Sequence, residues 1–154
     1  MKISFDDVNS KKINSVFSDG EYIFYELPCS EEFIRQEGIL MEHCLEYANV
    51  DYCRRMIAGE IKVFSMTNIH TNMPVVDIEV AFTKSSYGGP VSKPTVSQIR
   101  GIRNECPPKD DYIPSLIKFF ESYGRDWIVQ TDIKNFDGQT DGIILYKRWN
   151  ELSS

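Results

Sequence analysis

The sequence predicts an α+β domain, in which helices pack on one side of a mainly antiparallel sheet. Three patterns carry that expectation. Asp19-Gly20 stands between two β-prone runs, the signal of a hairpin turn because glycine tolerates the positive φ that such turns require. Met41, Cys44, Leu45, Ala48, Tyr52 and Met56 recur at three- and four-residue steps, the spacing of an amphipathic helix. Val76, Ile78, Val80 and Phe82 alternate with Val75, Asp77, Glu79 and Ala81, as in a strand with one apolar face and two carboxylates on the other. With 154 residues, 42% of them hydrophobic and 26% charged, the chain reads as a single soluble domain over 1–154 with a core of its own.

Taken in order, Ile13 to Phe17 and Tyr22 to Leu27 form the arms of the first hairpin, and Pro28 ends the second arm. Ser30 caps a short helix whose first turn carries Glu31 and Glu32, where carboxylates favour the positive end of the dipole. Gly38 is expected to separate this helix from the longer one bearing the Met41 to Met56 stripe, which stops at Gly59 with Arg54 and Arg55 in its last turn. Strands follow over Ile61 to Thr67 and Pro74 to Phe82, joined by the polar connection Asn68 to Met73. Thr83 to Pro94 is a loop by composition, and Thr95 to Gly101 a third strand in which Val96, Gln98 and Arg100 share a face. After Cys106-Pro107-Pro108, Asp110 or Asp111 caps a helix with the stripe Ile113, Leu116, Ile117, Phe120 and Tyr123, ending at Gly124. A strand-like Trp127 to Gln130, an Asp-rich loop from Asp132 to Gly142 and a segment from Ile143 to Trp149 close the chain.

Charge and composition narrow the function. A net charge of -6 disfavours non-specific attraction to nucleic acid or an anionic membrane, both of which need clustered Lys and Arg. Arg54, Arg55, Arg100 and Arg103 are the only residues that hint at a basic face. No apolar run approaches the roughly 20 residues of a membrane span, and Met1 to Asp7 lacks the pattern of a signal peptide, so a cytoplasmic location is expected. The four cysteines, Cys29, Cys44, Cys53 and Cys106, show no Cys-x-x-Cys spacing and are expected to be reduced thiols.

The residues Glu37-Gly38, His43-Cys44 with Tyr47, Gly59 with its strand, Pro74 with Ile78-Glu79, and Gln98-Ile99-Arg100-Gly101 with Asn104 resemble the PcfJ-like domain family. That family is found in accessory proteins of conjugative plasmids and in many phage and mobile-element genomes. Family members carry Val-Gly after the His-Cys pair, where this chain has Leu45-Glu46. The resemblance implies an accessory protein of a phage or mobile element, with a host or element-encoded protein as its partner, and it implies no particular reaction.

Two constellations are candidates for a site. Cys44 near a helix start is placed where the dipole would favour a thiolate nucleophile, yet its position in the apolar stripe predicts a buried thiol. His43 is its neighbour, but successive helix residues point about 100° apart, so a base for Cys44 must come from elsewhere, and His70 is the one other histidine. The second constellation gathers His43, Glu79, Gln98, Arg100 and Asn104 from separate elements, with Glu79 and Arg100 as a possible cross-strand pair. Neither a metal nor a cofactor is expected. Asp132, Asp137 and Asp141 fall short of a calcium loop because Lys134 and Phe136 occupy ligand positions, and Gly88-Gly89 lacks the Lys-Ser/Thr of a phosphate loop. The leading expectation is a non-enzymatic interaction module. The alternatives are a Cys44-dependent hydrolase or transferase, supported by His43 or His70, Glu79 and Gln98, and a nucleic-acid binder.

Overall fold

The first hairpin forms because Asp19 supplies its own turn. Asp19 Oδ1 accepts the N–H groups of Glu21 (3.0 Å) and Tyr22 (2.9 Å), and Gly20 takes a φ of +91°. Strands β1 (Ser15–Ser18) and β2 (Tyr22–Glu26) then pair antiparallel, with Phe17 opposite Phe24. The computed structural model describes residues 15–82, 94–105, 108–125 and 127. Residues 13 and 14 of the first predicted strand, loop residues 83–93, Cys106 and the elements expected over 128–149 lie outside the described residues.

Helix α1 (Glu31–Met41) starts at Ser30, whose Oγ accepts the Phe33 N–H at 3.4 Å. The expected break at Gly38 does not occur, since α1 runs through it. The chain turns instead at Glu42, with φ +56°, and the His43 N–H returns to the Gly38 carbonyl at 3.0 Å. Helix α2 (Leu45–Ile57) begins only after this turn, so Met41 belongs to α1 and Cys44 to the junction. In α2 the buried positions are Leu45, Cys53 and Met56. Glycine at 38 serves packing: a Cβ there would stand 2.0 Å from the Glu46 backbone nitrogen, so the two helices touch backbone to backbone. Gly59 ends α2 as expected, with φ +75° and its N–H on the Met56 carbonyl.

Strands β3 (Ile61–Asn68), β4 (Pro74–Ala81) and β5 (Thr95–Gly101) complete a five-stranded antiparallel sheet in the order β1-β2-β3-β4-β5. Its two faces differ. On one face Ile61 and Val63 pack with Ile34 of α1 and with Leu45, Cys53 and Met56 of α2. On the other, Phe64, Met66, Val76, Ile78 and Val80 pack with Ile113, Leu116, Phe119 and Phe120 of helix α3 (Ile113–Ser122). The domain is α+β with an antiparallel sheet. The one-sided arrangement holds for α1 and α2, while α3 covers the opposite face because its wide stripe, which includes Phe119, matches the aromatic side of β2 and β3. A single 3-10 turn, Asp110–Tyr112, leads into α3, so neither Asp110 nor Asp111 caps it; Tyr112 holds the cap position and Pro114 sits in the first turn. Among the described residues, no helix is long and apolar enough to cross a membrane.

Candidate functional site

The polar alternation of β4 is directed at the helices, not at water. Asp77 and Glu79 are only 6% and 7% exposed, because α1 and α2 lie over this face of the sheet. Antiparallel register sets their neighbours: Arg100 is directly opposite Asp77, and Gln98 directly opposite Glu79, with Ser65 and Val63 across from them on β3. The residue across the strands from Glu79 is therefore Gln98, not the expected Arg100, which the register places opposite Asp77. A β-bulge between Glu79 and Val80 leaves Ser97 as the extra residue of β5 and returns Val96 to the apolar face beside Val80, so Val96 does not share a face with Gln98 and Arg100. Ser97 Oγ donates to Glu79 Oε2 at 2.6 Å.

His43 enters from the α1–α2 junction. Its Nε2 lies 2.6 Å from Asp77 Oδ2, and its Nδ1 accepts the Leu45 N–H at 3.4 Å. Accepting at Nδ1 places the proton of a neutral ring on Nε2, so His43 donates to Asp77. Burial holds its pKa below the usual histidine value, with the Glu37 charge opposing. Both ring nitrogens are thus engaged, and His43 has no free nitrogen with which to serve Cys44 as a base.

Behind Asp77 is a second buried acid, Glu37 of α1, 2% exposed. Glu37 Oε2 and Asp77 Oδ1 receive no hydrogen bond from any described residue, and two neighbouring buried carboxyl groups can answer each other only when one of them carries a proton. Burial is the main cause that raises both: Glu37 well above the carboxylate range, with the Asp77 charge adding to it, and Asp77 up to about 7, with the hydrogen bond to Glu37 opposing. Glu37 is the group that keeps the proton. The folded state therefore binds more protons than the unfolded chain between about pH 4 and 7, and stability falls as pH rises through that window. Denaturant titrations across this range are expected to show a loss on the order of a few kcal/mol. Glu37→Gln supplies an N–H donor to Asp77 without needing a proton and is expected to flatten the dependence. An unchanged slope in that variant would refute the shared proton.

His43, Cys44, Leu45, Tyr52, Val63, Asp77, Glu79, Gln98, Arg100 and Asn104 line one cavity of about 30 Å³. All six residues singled out from sequence, namely His43, Cys44, Glu79, Gln98, Arg100 and Asn104, meet there. Cys44 is exposed, not buried in the stripe, because the turn at Glu42 ends α1 before it and leaves it at the cap position of α2. Asn104 comes in through a tight turn in which Arg103 and Asn104 both have positive φ, 58° and 61°. His70 lies in the exposed β3–β4 turn, with its N–H on Asn68 Oδ1, and does not line the cavity. The four arginines do not form one basic face: Arg54 is exposed and paired with Asp51 at 2.7 Å, Arg103 is 3.4 Å from Glu42, and Arg100 is buried.

Sequence reasoning missed Glu37, Asp77, Ser97 and Tyr52 as members of the site. Tyr52 was legible only as a stripe residue, yet its phenol pKa is raised by burial first and then by the neighbouring Glu79 charge. Asp77 and Glu79 were visible as a pair of acids on one strand face; that both are covered required the helices. Among the described residues, no group of three or more His, Cys, Asp or Glu side chains could hold a metal ion. No family model, curated protein or solved structure matches the chain.

Proposed function

We propose that this protein is an interaction module whose recognition centre is the polar cavity between the α1–α2 junction and strands β4 and β5. One observation carries the reading: an imidazole, acidic groups, amides and a guanidinium from four separate elements converge on a cavity with exposed Cys44 and Asn104 at its edge. Buried ionisable groups cost stability, and their concentration at one open point is the arrangement that recognition needs. The resemblance of residues 37–104 to PcfJ-like domains supports assigning the module to a phage or mobile element, with a host or element-encoded protein as its target. Affinity capture from host lysate is expected to retain a specific protein on the wild type. A Glu79→Ala/Arg100→Ala variant with an intact thermal transition is expected to lose it. Equal retention by the two would place the interaction elsewhere.

A second reading, a Cys44-dependent hydrolase or transferase, draws on the exposed thiol at the start of the 13-residue helix α2. Alkylation separates the two. As an exposed thiol, Cys44 is expected to react well ahead of buried Cys53. A rate already saturated near neutral pH would favour the enzyme.

A further inference from the structure

We propose that the cavity receives a primary ammonium group, presented by a lysine side chain of the partner protein. This deepens the interaction reading above and rests on it for the source of the lysine.

Glu79 holds an unanswered acceptor. Glu79 is 7% exposed and lines the cavity; its Oε2 accepts from Ser97 Oγ, while its Oε1 receives no hydrogen bond. A buried carboxylate oxygen without a donor is a standing cost that an incoming N–H relieves. The charge of the lining points the same way. Two acidic side chains, Asp77 and Glu79, line the cavity against one guanidinium, Arg100, which the register places across from Asp77. The lining thus carries two carboxyl groups to one guanidinium, and the residue across the strands from Glu79 is the uncharged Gln98. The start of α2 also borders the cavity, but its Leu45 N–H is directed to His43 Nδ1, which leaves that amide unavailable to an anion.

Size selects among cations. A space of about 30 Å³ suits a group as small as a water molecule, which an ammonium is and a planar guanidinium is not. Its three N–H donors match Glu79 Oε1 and the one carbonyl acceptor that each of the Gln98 and Asn104 amides, residues that also line the space, can turn toward it. Leu45 and Val63 supply apolar wall against which the methylene stem of a lysine can lie.

The test uses the full chain, isotopically labelled, with methylammonium and tetramethylammonium chlorides titrated at constant ionic strength while the side-chain amide signals of Gln98 and Asn104 are followed by NMR. Methylammonium is expected to give saturable shifts, at least fivefold tighter than tetramethylammonium, whose methyl groups block hydrogen bonding and overfill the space. Glu79→Gln, which keeps the shape and removes the charge, is expected to weaken methylammonium binding by tenfold or more. Absence of saturable shifts in the wild type, equal binding of both ions, or unchanged affinity in a folded Glu79→Gln variant would each overturn the ammonium site; the first two outcomes need no variant. The source is tested with the captured partner. Acetylation of its lysines is expected to abolish capture, and full retention after acetylation would overturn the lysine assignment while leaving the interaction module in place. Methylammonium binding with no captured protein would do the reverse, removing the module and its lysine but not the ammonium site.

Discussion

Replacing Gly38 with alanine is expected to destabilise the protein by about 3 kcal/mol or more and to lower its melting temperature by roughly 10 °C. In most helix interiors the same change is favourable, by about 1 kcal/mol, because alanine is the better helix former. Here the added Cβ would stand 2.0 Å from the Glu46 nitrogen, 2.5 Å from the Leu45 carbonyl carbon and 2.7 Å from the Glu46 Cα. These are backbone atoms and cannot rotate aside, so α1 and α2 must separate. The Gly38 carbonyl also anchors the His43 N–H at 3.0 Å, and separation would carry His43 away from Asp77. Thermal denaturation together with the His43 ring signals would report both effects. A variant as stable as the wild type would show that the helices do not meet so closely.

Phe119→Ala is expected to cost about 4 kcal/mol, the scale of a large aromatic removed from a closed core. Phe119 is fully buried, stacks on Phe24 at 4.3 Å with the rings 4° apart, and meets Phe17, Phe64, Phe120, Tyr123 and Trp127. It joins α3 to β1, β2 and β3 at once, so the void left behind has rigid walls on several sides and little means of collapse. Against a total stability of 5–15 kcal/mol typical of a domain, roughly this loss would leave the fold marginal. Urea titration is the measurement. A loss near 1 kcal/mol would mean that α3 does not seal that face.

The polar cavity and the aromatic core lie on opposite faces of the same central strands, and that division explains how one sheet serves both purposes. Phe64, Ile78 and Ile99 face α3 and hold the strands, while Ser65, Asp77 and Arg100, each next in sequence to one of them, stand at the helix-covered polar face. Slipping β5 by one residue would exchange the two sets, burying Arg100 in the aromatic cluster. The apolar face therefore enforces the register on which the site depends.

Much of this was legible in the chain because its signals are local. The Asp19-Gly20 turn, the cap at Ser30, the stop at Gly59 and the alternation from Val76 to Val80 each involve neighbours in sequence and appear where those neighbours place them, whereas Val75, at a shift in the β3–β4 register, joins the same apolar cluster as Val76. The meeting of His43 with residues of β4 and β5 could also be anticipated, since a helix crossing an antiparallel sheet brings its junction over the middle strands. What local patterns do not encode is which distant group a side chain will face. Gly38 looks like a helix breaker until Glu46 is packed against it, and Cys44 looks like core until the turn at Glu42 displaces it. The bulge at Ser97, the pairing of Asp77 with Arg100, the covering of two carboxyl groups and the placing of α3 on the far face were decided by tertiary structure alone. Periodicity along a chain determines which side chains share a face, whereas burial and electrostatics depend on what the rest of the fold lays over that face.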